Sequence, residues 1–105
     1  MGDLEMRKKI LAANWKMNGD IANLECLLET FKELKLGDNL PDNKHLVFFP
    51  SFVYLHNIAA TLSDTSMELG AQDVSTAAEG AYTGQISVSM LAEFNVKYVL
   101  IGHSE

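Results

Sequence analysis

Apolar and polar positions along the chain fall into two alternating rhythms. Ile10 to Ala13 is a short unbroken apolar run, which reads as a buried strand of a parallel sheet covered by helices. Asn18-Gly19 then signals a turn, Asp20 is placed to cap a helix, and Ile21, Leu24, Leu27, Leu28, Phe31 and Leu34 recur at helical spacing. Gly37 to Lys44 is a loop by composition. His45 to Phe49 reads as a second strand closed by Pro50, and Ser51 is a candidate cap for a second helix with Leu55, Ile58, Ala59 and Leu62 as its buried stripe. Met67 to Ala71 is a third strand running into Gln72 and Asp73. A long loop, Val74 to Gln85, leads to a short helix over Ser87 to Glu93, and Tyr98 to Ile101 forms a fourth strand. The pattern predicts strands near 9–14, 45–49, 67–72 and 97–102, with helices near 20–35, 51–62 and 86–94. It has no internal repeat and no linker, so 1–105 reads as a single α/β segment of order βαβαβαβ, a parallel sheet with right-handed crossovers.

The candidate chemistry sits at the carboxyl ends of the strands. If strand alternation continues past the first strand, Asn14 and Lys16 share a face with Ile10 and Ala12. Open α/β sheets and α/β barrels bind ligands at this end. The competing reading is a solvated loop, with Asn14 satisfying backbone groups and Lys16 in water. His103 follows the fourth strand as Asn14 and Lys16 follow the first, so parallel strands bring all three to one end. Ser104 and Glu105 read as a helix start, and a helix N-terminus disfavours a protonated imidazole beside it. A neutral imidazole and an ammonium near one oxygen stabilise an enolate-type anion. A lone histidine at a strand end is also commonly structural, so both readings stay open on these residues alone. His45 and His56 read as structural or exposed, and Cys26 as a packed helix thiol. Gly80 and Gly84 do not form a phosphate loop, since no Gly-Lys-Ser/Thr follows them. The long loop around them has the length of a lid, a binding loop or a partner contact.

Composition narrows the partners. With 48% hydrophobic residues a core is expected, while 105 residues fall well short of the roughly 250 of a closed βα barrel. A net charge of −6 argues against nucleic acid or an anionic membrane as the main partner, though Lys16 supplies local positive charge for a small anion. Cys26 is the only cysteine, so no internal disulfide is expected and a reducing compartment fits. No run has the length of a membrane span or a signal-peptide core, which makes the cytoplasm the expected location.

AANWKMNG, then GAQDVS, GAYTGQISVSML and YVLIGHSE, in that order and approximate spacing, closely resemble the N-terminal part of the triosephosphate isomerase family. The resemblance runs from about Lys9 to the last residue. This family is itself a standing example of barrel sites at strand carboxyl ends and of a neutral-histidine electrophile. The resemblance implies an incomplete (β/α)8 TIM barrel of the glycolytic and gluconeogenic isomerase. That enzyme interconverts dihydroxyacetone phosphate and glyceraldehyde 3-phosphate through an enediolate, with no metal or organic cofactor. By the same resemblance, Lys16 attracts the phosphorylated substrate and balances developing charge, His103 is the electrophile, and Asn14 contacts substrate. Glu105 orients Lys16 from behind the histidine, with Ser104 in a supporting place. Met17, Gln72, Tyr82 and Thr83 fall in the family's homodimer interface, Thr83 bracing the partner's active site. The departure is at Glu105, where the sequence stops before the family's catalytic glutamate, closing lid and later phosphate-gripping loops. About half a barrel is expected, as a fragment, a truncated product or one part of a split enzyme. A chain of this kind is expected to be inactive alone, and the alternative function is a non-catalytic half-barrel that binds phosphate or a partner chain.

Overall fold

Four parallel strands lie side by side in the order in which they occur in the chain, β1-β2-β3-β4. The computed structural model describes residues 7–38 and 40–102. Its elements are β1 (Lys9–Asn14), α1 (Ile21–Glu33), β2 (Lys44–Phe49), a 3₁₀ turn (Phe52–Tyr54) leading into α2 (Leu55–Leu62), β3 (Glu68–Ala71), α3 (Val88–Ala92) and β4 (Val96–Val99). The β1–β2 ladder runs without a break from Lys9↔Lys44 to Asn14↔Phe49, whereas the β3–β4 register shifts between Leu69 and Gly70. A doubly wound sheet reverses strand order part-way across. Strictly sequential order is that of a partial barrel.

The core lies on one face of the sheet. Leu24 and Leu28 of α1, Leu55, Ile58 and Leu62 of α2 and Leu91 of α3 pack with Phe48, Leu69 and Ala71, and Ala13 and Leu46 adjoin them. Phe48 is the hub, its ring 5.3 Å from that of Trp15 and 5.8 Å from that of Phe31. Because side chains alternate along a strand, Val47 and Phe49 face the other way. They are buried nonetheless, and the Phe49 ring lies across Gly70, where any Cβ would collide with it. At the amino end of the sheet, His45 Nδ1 and Glu68 Oε1 are 2.6 Å apart. Nearby, Lys8 Nζ donates to the Tyr98 hydroxyl at 3.1 Å. That hydrogen bond is the main reason the Lys8 ammonium is held above the usual lysine value.

Several expectations need correction. Strand β1 is not buried: Ile10 is 44% and Leu11 51% exposed, because β1 is the outermost strand and pairs with β2 alone among the described residues. Cys26 is exposed and not packed, since Leu24 and Leu28 form the buried stripe of α1 and Cys26 falls between them on the outer side. Leu27 and Leu34 are exposed too. Strand β4 stops at Val99 instead of continuing to 102. Leu100 N–H still donates to the Ala71 carbonyl at 3.0 Å, and the chain then turns at Gly102, φ +76°. Helix α3 is shorter than expected, capped by the Ser87 hydroxyl at one end and stopped by Asn95, φ +59°, just beyond the other.

Candidate active site

The loop after β1 crosses the carboxyl end of the sheet, and hydrogen bonds from three strands fix it. Trp15 N–H donates to the Phe49 carbonyl at 3.2 Å, one step past the last β1–β2 pair. Asn14 Oδ1 accepts from the Lys16 backbone N–H at 2.8 Å, closing the local turn that asparagine side chains favour. The Lys16 carbonyl accepts from Ser51 Oγ at 3.1 Å and from Gln72 Nε2 at 2.8 Å. Gln72 Nε2 also donates to the Phe49 carbonyl at 2.8 Å, so one amide ties the ends of β1, β2 and β3 together. Further along, the Tyr54 hydroxyl donates to the Gly19 carbonyl at 3.3 Å, just ahead of α1.

Lys16 sits at φ +52°, the left-handed region. For a residue with a Cβ this conformation costs about 1–2 kcal/mol. Each hydrogen bond to its backbone is worth about 0.5–1.5 kcal/mol net, so those from Asn14, Ser51 and Gln72 together offset the cost. The same conformation overturns the expectation that Asn14 and Lys16 share a strand face, because extended geometry ends at Asn14. What joins them is the hydrogen bond. Ser51 is corrected as well. It stands at the entry to the 3₁₀ turn and α2 with φ −63° and ψ 154°, but it makes no side-chain cap bond there.

Met17 is 94% and Tyr82 54% exposed, and Thr83 is exposed, all in loops that follow the carboxyl ends of β1 and β3. The long loop is shaped from within: Ser75 N–H meets the Ile86 carbonyl at 2.7 Å and Gln85 N–H the Tyr82 carbonyl at 3.0 Å. Gly80, at φ +133°, lies against the Tyr82 ring, where a Cβ would come within 2.9 Å. Gln72, assigned by resemblance to the interface, bonds within its own chain as described. His103, Ser104 and Glu105 lie outside the described residues. Among the described residues there is no group of three or more metal-ligating side chains, and no helix is long and apolar enough to cross a membrane.

The two long-range holds on the Lys16 carbonyl are not legible in the sequence. Gln72 was legible as a polar residue at the end of a strand, but nothing in its neighbours names a backbone carbonyl 56 residues away as its acceptor. Ser51 carried a signal for a different job.

The profile of the triosephosphate isomerase family matches residues 9–105. The chain belongs to the triosephosphate isomerase family. It is 47% identical over 100 residues to the triosephosphate isomerase of Dictyoglomus turgidum, covering 95% of this chain and 39% of that protein. It is 41% identical to that of Buchnera aphidicola subsp. Baizongia pistaciae and 44% identical to that of Synechococcus sp. CC9311, each over 100 residues, 95% of this chain and 40% of the relative. The chain therefore spans about two fifths of the length of these relatives, the N-terminal part of a triosephosphate isomerase. The clamped Asn14–Lys16 turn lies inside the matched region.

Proposed function

We propose that the chain forms the electrophilic half of a triosephosphate isomerase site, acting on dihydroxyacetone phosphate and glyceraldehyde 3-phosphate. The observation that carries this reading is the Lys16 backbone, held at a cost in strain at the carboxyl end of a parallel sheet in a chain of this family. In the reaction a base takes the carbon-bound proton beside the carbonyl, and the electron pair moves to the carbonyl oxygen as the enediolate forms. His103, neutral, donates a proton to that oxygen and recovers one from the neighbouring hydroxyl, so the proton count balances when the second carbon is reprotonated. The Lys16 ammonium attracts the phosphate and balances the growing negative charge, and Asn14 contacts substrate beside it. Glu105, with Ser104 in support, orients Lys16. The resemblance assigns the base to none of these residues. Asp73, at the end of β3, is better placed to hold the long loop than to reach a substrate carbon, so the chain alone is expected to be inactive. Met17, Tyr82, Thr83 and Gln72 form the side that meets a second subunit in the assembled dimer, and the cytoplasm is the proposed location.

Substitutions in a complete chain separate the roles. Lys16→Ala should raise KM and lower kcat together, because the charge serves both bound substrate and transition state. His103→Ala should lower kcat far more than it raises KM. Loss of one such donor costs on the order of 10² to 10³ in rate. Normal steady-state kinetics in either variant would remove the assignment. The exposed β1 edge favours a second reading, a non-catalytic module that binds phosphate or a partner chain. Isomerase activity restored by adding the missing part of the barrel decides for the enzyme.

A further inference from the structure

We propose that Ser51 is a positioning residue for Lys16, its hydroxyl holding the lysine backbone in the left-handed conformation from which the side chain leaves. The inference deepens the functional reading above and rests on it. Ser51 has the backbone conformation of a helix cap and the residue type of one, yet its side chain makes no cap bond. The hydroxyl is turned instead across the sheet end to the Lys16 carbonyl, 35 residues away in sequence. A local rule given up in this way calls for a gain elsewhere, and the strained residue at the other end of the bond is that gain. The three holds on Lys16 are not equivalent. Asn14 lies two residues away and moves with the same loop, so it shapes the turn without placing it on the sheet. Gln72 divides its amide between the Lys16 and Phe49 carbonyls. The Ser51 hydroxyl has one proton to donate, and it goes to Lys16. Ser51 also leaves from a rigid base, since it follows Pro50, whose side chain is fully buried, and Tyr54 N–H bonds back to its carbonyl at 3.0 Å.

The test compares the unsubstituted chain with Ser51→Ala, Ser51→Thr and Lys16→Ala. Backbone chemical shifts and the amide–Hα coupling of Lys16 report its φ in solution, and inorganic phosphate is titrated in the same samples. The expected result is a left-handed signature at Lys16 in the parent and in Ser51→Thr, which keeps the hydroxyl. Ser51→Ala should lose part of that signature and bind phosphate about threefold to tenfold more weakly, the span of one net hydrogen bond, with its unfolding midpoint near that of Ser51→Thr. An unchanged Lys16 signature in Ser51→Ala overturns the proposal. So does undiminished phosphate affinity in Ser51→Ala when Lys16→Ala has lost it. If Lys16→Ala binds phosphate as well as the parent does, the functional reading of Lys16 has failed, and the backbone signature alone still decides whether Ser51 holds it.

Discussion

Gly70 shows what a single side chain is worth in this sheet. It is buried in β3 directly beneath the Phe49 ring, and any Cβ there would overlap that ring. Gly70→Ala must therefore move Phe49 or the strand, at the roughly 1–3 kcal/mol typical of overpacking. Denaturant midpoints should show that loss, and Phe49→Leu in the same chain should recover part of it by vacating the space. No rescue would mean that the strain lies in the β3 backbone, beside the register shift between Leu69 and Gly70. The same scale of argument applies to Lys16. Its left-handed backbone is affordable because three side chains meet it, so its conformation belongs to Asn14, Ser51 and Gln72 as much as to itself.

Helix α1 illustrates an element set by its ends. Asp20 Oδ1 accepts from Asn23 N–H at 3.0 Å and Asp20 Oδ2 from the Asn23 side chain at 2.8 Å, a strong N-cap. Asp20→Ala should cost about 1 kcal/mol in unfolding free energy. At the other end Lys35 takes φ +54°, with Leu36 N–H on the Phe31 carbonyl and Lys35 N–H on the Lys32 carbonyl, both at 3.0 Å. That is the hydrogen-bond pattern of a Schellman C-cap, whose left-handed residue is usually glycine. Lys35→Gly should stabilise the chain by up to about 1 kcal/mol, the relief of the left-handed Cβ less the entropy of a freer unfolded state. A fall in stability would show that the Lys35 side chain contributes packing that outweighs the strain.

At the scale of the whole molecule, helices cover one face of the sheet and β1 runs along its edge with Ile10 and Leu11 exposed. Among the described residues this six-residue strand is paired on one side only, and such an edge with apolar neighbours is a template for pairing with another chain. Sedimentation velocity should therefore show mass rising with concentration, and Leu11→Lys should suppress the rise by placing a charge on that edge. Concentration-independent monomers of the parent chain would contradict this. The core behind Phe48 is the stabilising centre, so Ile58→Ala, at a fully buried position, should cost about 2–5 kcal/mol.

The order of elements was legible in the sequence because its signals are local. The helical recurrence of Leu24 and Leu28, the cap at Asp20, and the apolar runs around Leu46 to Phe49 each depend on residues a few positions apart. Periodicity of that kind survives without knowledge of the fold. The presence of Asn14 and Lys16 at a strand end, and the family likeness, were legible for the same reason. Burial of β1 was not, because an apolar run looks the same on an edge as in the centre of a sheet, and its neighbours are decided by topology. The conformation of Lys16 was not either. Tertiary structure alone brought Ser51 and Gln72, 35 and 56 residues away, onto one carbonyl, since the donors to a strained backbone come from whichever strand ends the sheet places beside it.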